Sequence, residues 1–458
     1  MNTLRLISVL PLAAAAAAQW HPVTPAASPS ARYTPGMAFD SVANRTILFG
    51  GGKTTFGNWN DTWSFDGTTW TQLAPVASPS ARPGIDLVFD DLRGLTVMYG
   101  GGNTSPFGGP SLDQTWEFNG LTWTQVVTSN TPGGLTWYGM AYDSLRYRTV
   151  LYGGLHDSFF PIDSADTWEY DGVNWTHVTT AHSPGPLENP AICFHQGLGK
   201  IILFGGIDVQ TGGTTTTWSY DGVDWTPIAV VGPSPSARTM ARMVYDPQRA
   251  VCVMHGGLNP STGAAINETW EFNGVVWTQR FDLTPPDRRG FGLAFDTSRH
   301  VAVMFGGVNA SFAARTDTWQ YGGLVQPFGA GCVGTAGVPV LTAPQGARLG
   351  QVFQSTMHNL HPAAPIAVTL IGTSSTNSGG LPLPADLAFL GLPGCTLYGS
   401  GDITQFDSAS AGTSVDNLFI PNDQVYLGVE FFVTGVSLDT VNSFGAVLSN
   451  ALRCRVGY

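Results

Sequence analysis

Short apolar runs ending in Asp or His recur along the first two thirds of the chain: GMAFD to Asp40, DLVFD to Asp90, GMAYD to Asp143, AICFH to His195, RMVYD to Asp246 and GLAFD to Asp296. Ten residues after each ending stands a Gly-Gly pair, beginning at Gly50, Gly100, Gly153, Gly205, Gly256 and Gly306, with a second apolar run such as TILF or TVMY just before it. A third element follows, written TWSFDGTTW from Thr62, TWEFNGLTW from Thr115, TWEYDGVNW from Thr167, TWSYDGVDW from Thr217 and TWEFNGVVW from Thr269. Asp-Gly or Asn-Gly between alternating apolar residues predicts a β-hairpin, because the turn needs residues that accept positive φ. Each unit therefore reads as four strands, two before the glycines and two around the turn. With a two-residue loop, Phe65 faces Thr68 and Trp63 faces Trp70, an aromatic cross-strand pair.

The second tryptophans, Trp70, Trp123, Trp175, Trp225 and Trp277, are spaced by 53, 52, 50 and 52 residues. A four-strand unit repeating near every 50 residues is the period of a propeller blade. Apolar strand, Gly-Gly, then paired aromatics resembles the kelch-repeat family over residues 19 to 325. The resemblance implies an all-β chain folded as a six-bladed kelch-type β-propeller. The sixth unit, TWQYGGLVQ from Thr318, lacks a second tryptophan, while QWHPVTPAASPSAR from Gln19 aligns with TWTQLAPVASPSAR from Thr69. The N-terminal segment is thus expected to supply Trp20 to the last blade opposite Trp319, closing the ring and removing its free edges. The alternative is that LVQ after Gly323 forms that strand.

Residues 1–18 read as a secretory signal: Arg5, an apolar run, and small residues at Ala16 and Ala18 before Gln19. Secreted, periplasmic or cell-surface localisation follows as the expectation, with no membrane insertion. From residue 326 to 458 the repeat gives way to short apolar runs between Gly, Pro, Asn and Asp turns, which predicts a C-terminal β-sandwich. GAGC, GVPVL, LPLPADL, LGLPGC and SNALR resemble a terminal module found behind repeat domains in bacterial secreted proteins. Of the five cysteines, Cys332 and Cys395 are expected to pair; Cys193 and Cys252, inside strand patterns, are expected to be buried thiols.

The formal charge is −12, with only 20 Lys and Arg residues, which argues against nucleic acid as a partner. The distance from the second glycine to the first tryptophan of the hairpin varies from 12 to 15 residues, whereas the Asp-Gly side is uniform. Variable loops are where repeat scaffolds carry function. On that face a position eight residues before each strand-ending Asp or His holds Arg32, Arg82, Leu135, Leu187, Arg238 and Arg288. Four arginines there, with Arg242, Arg289, Glu188, Trp137 and Tyr138 close by, suit an anionic or hydroxyl-rich ligand. A repeated arginine serves equally as a structural ion pair or a donor to loop carbonyls. Neither a cofactor nor a metal site is expected; the His156, Asp157, Asp163 and Asp166 loop lacks tight ligand spacing.

The expected function is non-catalytic binding of a glycan or extracellular protein by a monomer. The alternative is a sugar-active enzyme of the sialic-acid mutarotase type or another carbohydrate isomerase, in which Glu188 moves protons beside Arg238 and Arg288. The copper chemistry of galactose oxidase is excluded, because Cys193 and Cys252 sit in strand interiors.

Overall fold

The structure, a computed structural model, describes residues 19–458 apart from 103–110, 157–161, 282–284, 323–324, 329–330, 344–346, 348–350, 363–365, 375–376, 379–380, 389–391, 393–394, 411, 422–428, 440–444 and 456–458. The signal segment predicted at 1–18 lies outside the described residues. The chain divides between Gly322 and Gly323 into two compact units rather than after residue 325.

The first unit contains six four-stranded antiparallel sheets in a propeller-like arrangement. Sheet one consists of Gly36–Asp40, Arg45–Phe49, Thr62–Phe65 and Trp70–Leu73. Sheets two to five repeat that order, starting at Leu87–Asp90, Gly139–Asp143, Ala191–His195 and Arg242–Asp246. Sheet six takes Gly292–Asp296, Val301–Phe305 and Thr318–Gly322, and its outer strand is Gln19–Val23. The leading segment thus completes the last sheet. Val325–Phe328, the other contender, pairs instead with Ala446–Arg455 in the second unit.

The predicted hairpin register is wrong by two residues. Asp66 Oδ1 accepts the backbone N–H of Thr68 at 2.8 Å and of Thr69 at 2.7 Å, and Asp66 N donates to Thr69 O. The side chain closes its own turn, a known competitor of the two-residue loop, so the loop holds four residues. Phe65 therefore faces Trp70, and Trp63 faces Gln72. Asn119, Asp171, Asp221 and Asn273 do the same in the next four sheets. The aromatic pairing survives with a different partner: Phe65 and Trp70 ring centroids are 4.9 Å apart, Tyr220 and Trp225 5.1 Å.

Every second tryptophan also reaches backward. Trp70 Nε1 donates to Thr318 Oγ1, Trp123 to Thr62, Trp175 to Thr115, Trp225 to Thr167, Trp277 to Thr217 and Trp20 to Thr269, all at 2.8–3.0 Å. Each bond joins one sheet to its predecessor, and Trp20 occupies the sixth place. A buried indole N–H without a partner costs roughly 1–3 kcal/mol, which is why a threonine recurs at this spot. The apolar cores straddle the same seams: Phe49, Phe118 and Trp123 share one, while Phe65, Trp70, Val303 and Phe305 share another.

In the second unit an eight-stranded sheet runs from Val325–Phe328 through Ala446–Arg455, Glu430–Leu438, Ile366–Gly372, Ile403–Ser410, Thr413–Phe419 and Val352–His358 to Val340–Thr342. Ile403–Ser410 pairs with Ile366–Gly372 from Ile403 to Ser408, but with Thr413–Phe419 only at Ala409 and Ser410. The two halves of the sheet share one buried core that includes Leu341, Phe353, Met357, Phe431, Val433 and Leu452. Cys332 and Cys395 form a disulfide as expected, and Cys193, Cys252 and Cys454 are buried thiols.

Candidate functional site

The Gly-Gly pairs build the loop face. Gly50 and Gly51 both have positive φ, 67° and 104°, which glycine adopts without steric cost. A Cβ on Gly50 would stand 2.7 Å from Arg82 O, and Gly51 N donates to that same carbonyl at 2.9 Å. The contact repeats around the unit: Gly101 N to Leu135 O, Gly154 N to Leu187 O, Gly206 N to Arg238 O, Gly257 N to Arg288 O and Gly307 N to Arg32 O. Each glycine pair thus grips the next sheet's residue at the arginine position, and the last grips the first.

Two residues past that position lies a second closed circuit. Thr34 N donates to Gly290 O, Gly84 N to Thr34 O, Trp137 N to Gly84 O, Asn189 N to Trp137 O, Met240 N to Asn189 O and Gly290 N to Met240 O, at 2.5–3.3 Å. All six residues have positive φ, among them Trp137 at 59° and Met240 at 56°. Left-handed backbone at a bulky residue is rare, and neighbouring structure must hold it there. This belt of main-chain bonds ties the six sheets together at the loop face.

The four predicted ligand arginines lie beneath this layer as clamps. Arg32 is fully buried and donates to Ser30 O, Gly50 O and both oxygens of Asp61, at 2.6–2.9 Å. Arg288 repeats the pattern with Pro286 O, Gly306 O and Asp317. Arg238 does so with Ser236 O, Gly256 O and Glu268, and Arg82 with Ser80 O, Gly100 O and Gln114. The clamps, together with the indole N–H of Trp63, Trp270 and Trp319, hold Asp61, Glu268 and Asp317 below the usual carboxylate range, even though burial alone would push each up. Their donors are spent within the sheet, which is the structural role weighed for a repeated arginine.

Arg242 and Asp86 form a different pair. They occupy the first position of the inner-strand runs in units two and five, three units apart, where the other four units have Gly36, Gly139, Ala191 and Gly292. Small residues leave the axis open, so the two side chains meet across it with Nη1 to Oδ1 at 2.6 Å. Burial raises the Asp86 carboxyl despite Arg242 and the Met140 N–H that also faces it. A cavity of about 280 Å³ runs along the inner strands from this ion pair to Ser41, Asp91, Ser144, Gln196, Pro247 and Thr297 on the opposite face. No belt residue lines it. Sequence pattern alone carried this signal, because two opposed charges among four small residues predict a bridge over the axis.

Glu188 follows Leu187 on the loop face and is bridged through its backbone to Ile207. Glu188 is buried, and the charged group that bears on it is the Asp163 carboxyl, whose Oδ2 accepts the Val209 N–H, rather than an arginine. Burial first, then the neighbouring Asp163 carboxyl, raise Glu188 to about 8. Arg289 stands at the matching position of the sixth unit, bridged to Val308, and among the described residues no carboxylate pairs with it. Tyr138 is buried and donates to Tyr99 O; Trp137 is half-buried in the belt. Among the described residues no group of three or more His, Cys, Asp or Glu side chains is placed to hold a metal.

Neither a family model nor a curated protein matches the sequence. Among solved structures, a β-xylosidase aligns with 67% of this chain and 95% of its own, at a TM-score of 0.33 and 8% identity.

Proposed function

We propose that this chain is a six-bladed kelch-type propeller with a C-terminal β-sandwich, and that it is a secreted, non-catalytic protein that binds a glycan or an extracellular protein through the loop face. One observation carries the reading: loops after the Gly-Gly pairs, the ones of variable length, expose Phe56 at 93%, Ile162 at 65% and Val209 at 57%. Apolar side chains exposed on loops of variable length offer a recognition surface. Arg289, with its guanidinium uncommitted to any described carboxylate, adds a donor for a ligand hydroxyl or anion.

The enzymatic alternative keeps one point in its favour, since Glu188 retains its proton near neutral pH and has the character of a general acid. Against it, the clamp arginines are engaged within their own sheets, and Glu188 meets Asp163 instead of a cation. Glycan-array and secreted-protein screens with the purified chain test the proposal. Phe56→Ala with Val209→Ala, and separately Arg289→Ala, should weaken any captured ligand at least about tenfold, or 1.4 kcal/mol. Undiminished binding in both variants sinks the loop-face assignment, while turnover of a sugar lost in Glu188→Gln favours the enzyme.

A further inference from the structure

Sheets four and five carry the only two cysteines of the repeat unit, one in each. Cys193 lies mid-way along Ala191–His195, and Cys252 lies in Val251–His255 opposite Tyr245. Corresponding positions in other units hold Ala38, Val88, Ala141, Val244 and Ala294 for the first, and Thr46, Thr96, Thr149, Ile201 and Ala302 for the second. Both thiols are buried in one shared core, and their sulfurs are 3.1 Å apart. That gap is about 1 Å longer than a disulfide bond, within reach of small side-chain rotations. Cys193 also lines the axial cavity, which opens on the turn face, whereas Cys252 is sealed.

We propose that Cys193 and Cys252 form a disulfide that staples sheet four to sheet five when the chain matures in an oxidising compartment. The compartment rests on the secretory reading above; the pairing rests on geometry alone, and the test supplies its own oxidant. In oxidised glutathione, the Cys193 thiolate attacks one sulfur and releases one glutathione thiolate, leaving a mixed disulfide. Cys252 then gives up its proton, attacks the Cys193 sulfur and displaces the second glutathione. Two protein thiols and one oxidised glutathione become one protein disulfide and two glutathione thiols. Burial holds the Cys252 thiol well above its usual range, so the second step belongs to the stage before the seam closes.

The full chain is refolded in a glutathione redox buffer, denatured without reductant, alkylated and mapped by peptide mass spectrometry. A Cys193–Cys252 linked peptide is expected, with Cys454 the single alkylated cysteine. Alkylation of both Cys193 and Cys252 in the folded fraction overturns the proposal. Cys193→Ala with Cys252→Thr uses residues that other units already accept at these places. This variant should fold, show the same single thiol, and unfold at lower temperature than the oxidised parent; an unchanged midpoint means the staple is absent. None of these outcomes depends on ligand binding, so failure here leaves the recognition proposal standing.

Discussion

Four sheets hold an arginine at the joint where each Gly-Gly pair grips its neighbour, and two hold a leucine. The main-chain geometry is the same in both kinds, since Gly51 N to Arg82 O and Gly101 N to Leu135 O measure 2.9 and 2.8 Å. The side-chain chemistry differs completely. Arg32, Arg238 and Arg288 each meet an acid, Asp61, Glu268 and Asp317, and Arg82 meets Gln114. Under Leu135 and Leu187, both buried, that partner position holds Asp166, bonded to His177 instead, and Thr216, which is exposed. A buried guanidinium is tolerated where a partner is supplied about thirty residues later, and a leucine fills the same joint whether an acid or a threonine follows. The position is therefore a seam of the scaffold, and the two leucine-bearing units are where the unusual groups gather, namely Trp137 and the Glu188–Asp163 pair.

Forcing a leucine unit into the arginine pattern should cost most. Leu187→Arg places a guanidinium over Thr216 with no acid to meet it, and urea denaturation should register a loss of roughly 3–5 kcal/mol. Adding Thr216→Glu, which copies Arg238 and Glu268, should recover most of that loss; no recovery breaks the equivalence of the two kinds of joint. Slightly smaller is the reverse change. Arg32→Leu leaves Asp61 partly buried with the Trp63 indole N–H but no cation, and strips donors from Ser30 O and Gly50 O, for about 3 kcal/mol, and Asp61→Thr should return much of it.

Proton linkage sharpens the contrast further. Glu188 is raised in the folded state from 4.5 to about 8, so its contribution to stability is present in full below pH 4.5 and is lost as pH rises through about 8. Glu188→Gln should remove that decline in midpoints measured across the range. On the arginine side, burial and the charges of Arg288 and Arg238 hold His255 well below 6.5. As pH falls below 6.5 the unfolded chain therefore takes up a proton that folded His255 refuses, so stability declines, and His255→Phe, the residue at Phe49, Phe204 and Phe305, should flatten the acid limb. The smallest effect is a control. Trp20→Phe and Trp225→Phe each delete one indole bond to threonine, and both should cost about 1 kcal/mol, because the seam is built alike at the closing strand and inside a leucine unit. A clearly larger loss at Trp20 would mean that the closing strand is held differently.

Much of this was readable along the chain. Strand-length apolar runs, Gly-Gly at a fixed distance and a tryptophan period set the number and order of the strands, because side-chain alternation and turn chemistry are local properties. The duplicate of the second-tryptophan segment at Gln19 identified the closing strand. The hairpin register was misread because Asp66 and its counterparts bond their own turns, a local preference that competes with the two-residue loop. The arginine position was visible, but its direction was not: a repeated arginine looks the same whether it faces a ligand or a glycine carbonyl. The left-handed belt left only a partial mark in residue type: Gly84, Gly290 and Asn189 suit positive φ, but Thr34, Trp137 and Met240 give no hint of it.

By itself, then, the order of residues determined the repeating four-strand unit and pointed to Trp20 as the closing residue, while the closing strand and the Cys332–Cys395 disulfide were fixed by the structure. Only the tertiary structure decided which polar groups are consumed by the seams between sheets and which are left over. Burial and hydrogen bonding depend on what the neighbouring sheet brings to the same point, and that neighbour lies some fifty residues away.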